Sequence, residues 1–91
     1  MLMLNMTRAE AINLLMGYAY WKKPELRETP HQSTFKDLAG LPAETVENIE
    51  IARAPKITAG TSETTFSPHD IAPLWQWSIL YGKTIQAIKT H

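Results

Sequence analysis

Apolar residues recur at helical spacing in several stretches of this chain, each bounded by residues that start or stop helices. In the first, Ile12, Leu15, Met16 and Ala19 form one stripe, and Leu14, Tyr18 and Trp21 widen it until most of the circumference asks for cover. Thr7 followed three residues later by Glu10 reads as a capping box, which places this helix over residues 8–21. Residues 23–32 hold Pro24 and Pro30, with Leu26 almost alone as an apolar side chain, so they read as an exposed connection. Ser33 or Thr34 can then cap a short helix, residues 34–39, whose inner face is Phe35, Leu38 and Ala39 and which Gly40 ends. Pro42 suits the first turn of the next helix, residues 42–53. On it Val46, Ile49 and Ala52 or Arg53 point inward, and Pro42, Ala43, Glu44, Glu47, Asn48 and Ile51 point outward.

Beyond Arg53 the period changes. Residues 55–59 and 63–66 carry β-branched and aromatic side chains with partial alternation, and Gly60, Thr61 and Ser62 between them can reverse the chain. The pattern predicts a β-hairpin over residues 56–66, with Ile57, Ala59 and Phe66 leaning on the helices because an isolated hairpin is marginal in water. Pro73 would break a helix begun at Ser67 or Pro68, so Pro68 to Ile71 reads as a turn and the last helix as residues 73–89. There Ile71, Leu74, Ser78, Tyr81, Ile85 and Ile88 alternate three and four apart, with Trp77, Leu80 and Ala87 beside them, as a stripe that can pack on the first helix. A second ridge holding Trp75 or Trp77 is left uncovered and reads as a partner surface or a homodimer seam. Gly82 in this helix costs about 1 kcal/mol relative to alanine, which points to close approach of another backbone or to a bend.

The run Leu38-Ala39-Gly40-Leu41-Pro42, followed by Thr45, Val46 and Ile49, resembles the turn and recognition helix of winged helix-turn-helix regulators, in particular the isocitrate-lyase-regulator type with its Gly-Leu-Pro corner. Lys36 stands where that family usually has a small residue. The resemblance implies a mainly α single domain with a small β-hairpin, residues 1–91, in which the 42–53 helix enters a DNA groove and the hairpin acts as a wing. The residues it nominates for nucleic-acid or partner binding are Ala43, Glu44, Glu47, Asn48, Ile51, Arg53 and Lys56, with the Gly60 to Ser62 tip on phosphate.

Composition weighs against the simplest form of that reading. Nine Lys and Arg balance nine Asp and Glu, so no overall field draws the chain to a polyanion. The helix meant to read bases carries Glu44, Glu47 and Glu50 and no basic residue before Arg53, whereas Asn48 alone is a frequent base reader. The acidic face favours a protein partner. Two readings therefore stand side by side: a small nucleic-acid-binding regulator acting on duplex DNA, which the helix-turn-helix pattern favours, and a protein-binding adaptor or inhibitor of phage or mobile-element type. The second would use the acidic helix and an aromatic ridge at Trp75 and Trp77.

Enzymatic chemistry has no constellation to rest on, and no cofactor is implied. His31, His69 and His91 are scattered, without metal-ligand spacing, and no Gly-rich loop can cradle a phosphate. His69 and Asp70, with Ser67 nearby, are better explained as turn residues than as parts of a triad. Tyr18, Tyr20 and Trp21 before Lys22 and Lys23 can be read as a stacking platform for single strands, but aromatics at helical spacing mostly fill cores. The chain has no cysteine, and its apolar start is interrupted before it reaches the length of a membrane span or signal core, which predicts a cytoplasmic protein with no membrane partner.

Overall fold

The fold starts from Thr7, whose hydroxyl accepts the Glu10 amide at 3.1 Å while the Glu10 carboxylate accepts the Thr7 amide at 2.8 Å. This reciprocal cap opens α1 (Arg8–Lys22) in the computed structural model, which describes residues 6–32, 35–58, 60–62 and 64–90. Among those residues the remaining helices are a 3₁₀ turn (Pro24–Glu28), α2 (Ala43–Arg53) and α3 (Leu74–Thr90). Ile12, Leu15, Met16 and Ala19 of α1 are buried, and α1 packs against both α2 and α3. Arg8 bonds Gln76 near the start of α3, and the Lys23 ammonium donates to the Ile88 carbonyl near its end. The two helices therefore run side by side in the same direction. Leu26 of the 3₁₀ turn, Phe35, Leu38, Ile57, Phe66 and Ala72 close the core from the connecting segments.

No β-strand occurs among the described residues, so the hairpin expected over residues 56–66, and with it the winged fold, is absent. The amides that a ladder would need are bonded elsewhere. Ile57 and Thr58 donate to the Ala52 carbonyl at the end of α2, at 2.9 and 3.3 Å, and the Phe66 amide donates to the Asp37 carboxylate at 2.9 Å. Lys56 turns the chain away from α2 with a φ of 63°. At the tip, the Thr61 and Ser62 amides donate to the Thr65 carbonyl, and the Ser62 hydroxyl accepts the Thr64 and Thr65 amides, so a hydroxyl-rich loop replaces the turn of a hairpin. Ile57 and Phe66 do lie in the core, while Ala59 falls outside the described residues. A single antiparallel bridge, between Thr7 and Ile71, is the nearest approach to sheet among the described residues.

The short helix expected over residues 34–39 is not formed either. Residues 35–38 are non-helical, and Ser33 and Thr34, expected to cap that helix, lie outside the described residues. The Lys36 amide donates to the Thr64 carbonyl at 2.7 Å, and Asp37 accepts the amides of Phe66 and Ser67. Both residues thus spend their polar groups across to the 60s loop rather than within a helix. The Gly-Leu-Pro corner does exist, with Leu41 donating to the Leu38 carbonyl, Gly40 at a φ of 88° and Pro42 preceding α2. It joins a loop to a helix, so the helix-turn-helix has only its second helix.

α3 turns a different face inward from the one its spacing suggested. Leu80, Thr84 and Ala87 are buried, whereas Leu74, Ser78 and Tyr81 of the expected core stripe are exposed, as is Ile71 just before the helix. Thr84 is tolerated in the core because its hydroxyl donates to the Leu80 carbonyl at 2.7 Å. On α1 the widened stripe is similarly left open, with Leu14 and Trp21 exposed.

Candidate interaction surfaces

On α2 only the acidic part of the expected recognition face is available. Ala43, Glu44 and Glu47 are exposed and Glu50 is half-buried, but Asn48 and Ile51 are 6% and 1% exposed. Asn48 belongs to a polar row that joins α2 to α1. Its side-chain oxygen accepts the Tyr20 hydroxyl at 2.8 Å, its amide group donates to Asn13 at 3.0 Å, and Asn13 donates to the Thr45 hydroxyl at 3.0 Å. Buried polar groups of this kind are costly unless mutually satisfied, and here each finds a partner. Burial pushes the Tyr20 phenol above its ordinary pKa, and Glu47 and Glu44 push it the same way, against the Arg27 guanidinium, which lies 4.1 Å over the ring. The one base-reading residue on the helix is therefore engaged within the fold. The same row removes Tyr20 from any stacking platform, leaving Trp21 exposed beneath the Lys22 ammonium, 4.6 Å away.

Arg53, the last residue of α2, and Lys56, just beyond it, lie at the helix end. The Arg53 guanidinium lies 4.7 Å from the Phe35 ring centroid, and Lys56 occupies the left-handed position after the helix. His31 faces Glu44, Glu47 and Glu50 across an open groove of about 700 Å³. No group of His, Asp or Glu among the described residues is arranged to hold a metal ion.

A second polar cluster fastens the loops to α1. Arg8 donates through Nε to the Phe66 carbonyl at 2.8 Å and through a terminal nitrogen to Gln76 at 2.7 Å, and its guanidinium stacks 4.7 Å from the Phe66 ring. Burial pulls its pKa below the usual arginine range, opposed by Asp70 and Asp37. Asp37 is pushed up by partial burial, but hydrogen bonds from the amides of Phe66, Ser67 and its own residue, with Arg8 nearby, hold its carboxyl below the ordinary value. Sequence reasoning did not single out Asp37 or Arg8. Only the long-range pairing of residue 37 with 66 and 67 gives them their task.

The surface that stands out is the outer side of α3. Leu74 and Trp75 are 67% and 63% exposed, and Ile71, Ile79 and Tyr81 are about half exposed. Of the two tryptophans expected on this ridge, Trp75 is exposed. Trp77 is half-buried against the core, with its indole N–H enclosed and without a partner. Between Trp75 and Ile79 on one side and Ile57, Thr58, Gly60 and Thr61 on the other lies a cleft of about 250 Å³, bordered also by Arg8 and Lys83. No helix among the described residues is long and apolar enough to cross a membrane. No protein-family model matches this chain, and neither a curated protein nor a solved structure matches it.

Proposed function

We propose that this chain is a non-enzymatic protein-binding module of the cytoplasm, an adaptor or inhibitor whose docking surface is the outer face of α3 together with Ile71. The observation that carries the reading is the cluster of Ile71, Leu74, Trp75, Ile79 and Tyr81, each about half exposed or more on one helix and its approach. Five large apolar side chains so placed leave a patch of the size that marks interaction sites on small soluble proteins. Aromatic anchors such as Trp75 and Tyr81 supply large contact area at low entropic cost. The nucleic-acid alternative is weakened on α2, where Asn48 and Ile51 are withdrawn into the core and the exposed remainder is acidic.

The test compares wild type with a Trp75→Glu, Ile79→Glu variant as baits in extract of the source cells. A defined partner retained by wild type and lost with the variant supports the reading, and an identical set on both baits refutes it. A parallel mobility-shift titration with random duplex DNA addresses the alternative. Retardation at low salt that Glu44→Lys and Glu47→Lys strengthen would favour nucleic acid instead.

A further inference from the structure

We infer that the outer face of α3 is covered by α3 of a second copy of this chain, paired antiparallel about a two-fold axis beside position 80. The inference rests on the reading of this face as a protein-docking surface. Trp75, Ser78, Gly82 and Ile85 lie along one strip of α3, separated by three, four and three residues. That spacing is symmetric about position 80. When the helix is turned end for end, Ser78 falls opposite Gly82 and Trp75 opposite Ile85, so small residues meet small ones and large meet large. A closed two-fold contact requires such self-complementarity, and a contact with an unlike helix does not.

The glycine has no explanation inside the chain. It sits in the interior of α3, exposed, and a Cβ built on it would meet nothing within 4 Å. Alanine there would favour the helix by about 1 kcal/mol, so the missing side chain points to a backbone approaching from outside. Ser78 can join such a contact because its hydroxyl donates back to the Leu74 carbonyl at 3.4 Å and is not left without a partner when water is excluded. Ile79 and Tyr81 flank the strip on opposite edges, one residue to either side of the axis. In the antiparallel pair each therefore meets its own counterpart.

The area fits a dimer. The exposed parts of Ile71, Leu74, Trp75, Ile79 and Tyr81 amount to roughly 600 Å² per copy, against the ~800 Å² per partner of a standard interface, before Ser78, Gly82, Ile85 and the rim are included. The four residues of the strip carry no charge, and Lys89, four residues beyond Ile85 on the same side, falls opposite Ile71 of the second copy and ~27 Å from its own counterpart, so like charges do not meet across the pair.

Sedimentation equilibrium of the full chain from about 2 to 200 μM tests the pairing. The expected result is a mass rising toward twice 10.3 kDa, with Gly82→Leu weakening association at least ~10-fold while helix content by circular dichroism is kept. Because the chain has no cysteine, register can be read by cross-linking. Mild oxidation should join Ile79→Cys into a covalent dimer. It should not join Lys89→Cys, whose counterparts would lie ~27 Å apart along the pair. A monomer at every concentration, association untouched by Gly82→Leu, or cross-linking through Lys89→Cys alone would overturn the pairing. A monomeric chain whose captured partner is still lost in the Trp75→Glu, Ile79→Glu variant would overturn it while leaving the protein-docking reading standing.

Discussion

Replacing Gly60 by alanine should cost this domain a large share of its stability. Gly60 holds a φ of 78°, which an L side chain adopts with strain of about 1 kcal/mol. A Cβ there would also lie 2.5 Å from Phe35 Cε1, 2.5 Å from the Thr65 carbonyl oxygen and 2.9 Å from Phe35 Cζ. Phe35 cannot swing away freely, because it is buried against Phe66 with ring centroids 5.6 Å apart and under the Arg53 guanidinium. The Thr65 oxygen is held by the Thr61 and Ser62 amides, so moving it loosens the loop tip. Overpacking of this kind costs ~1–3 kcal/mol, and the stiffer unfolded chain of the alanine variant worsens neither term. After crediting alanine with ~0.5 kcal/mol for reduced unfolded-state freedom, the net loss is about 1.5–3.5 kcal/mol. For a domain of this length that lowers the melting temperature by roughly 6–28 °C. Thermal and urea unfolding followed by circular dichroism would measure it, with Gly17→Ala as the control. Gly17 is helical with nothing within 4 Å of its Cβ, so alanine there should stabilise by ~0.5–1 kcal/mol. A Gly60→Ala loss below ~0.5 kcal/mol would refute the packing argument.

Three further outcomes follow from the same contacts. Asp37 titrates below its unfolded value, so the native state binds its proton less tightly than the unfolded chain; its contribution is full above the ordinary carboxylate pKa near ~4 and is lost as pH falls through the depressed folded value. Asp37→Asn should flatten that part of an acid-unfolding profile, and an unchanged acid limb would argue against the loop staple. Asn48→Ala should cost about 2–3 kcal/mol in urea unfolding, because it strands the Tyr20 hydroxyl and Asn13; a stable variant with altered DNA retention would instead restore Asn48 as a base reader. Lys56→Gly should raise stability by ~1 kcal/mol, since Lys56 takes a φ of 63° where glycine is at ease, and a destabilised variant would show that its side chain does more than end α2.

The three long helices and their approximate ends were legible because each cue is local: a capping box at Thr7 and Glu10, a proline before Ala43 and a proline before Leu74. The inner stripe of α1 was legible for the same reason. Its four members share a face whatever packs on it. The faces of α2 and α3 were harder, because Asn48 and Thr84 are polar residues whose burial depends on partners, Tyr20 on another helix and the Leu80 carbonyl one turn away. Ile51 and Leu80 then follow them inward, and Leu74 and Tyr81 are carried to the surface. The exposed apolar side of α3 is only half legible: the spacing leaves a ridge at Trp75 or Trp77 uncovered, whereas nothing in it marks Ile79 and it places Tyr81 in the core.

What the residues determine by themselves is therefore the three long helices, the start of α1, the turn at Gly40 and the absence of net charge, all of which depend on neighbours within a few positions or on composition alone. Tertiary structure decided the rest. Residues 55–66 have the side chains of a hairpin, but a ladder forms only if the two segments' amides are free for each other. Ala52 takes those of Ile57 and Thr58, and Asp37 takes that of Phe66. Residues 35–38 have the pattern of a helix turn and are drawn out of it by the same exchange with the 60s loop. Hydrogen-bonding groups are committed once, and in this chain the commitments that separate a winged helix from a three-helix fold are made partly at the end of α2, five and six residues from Ala52, and partly between residues about thirty apart.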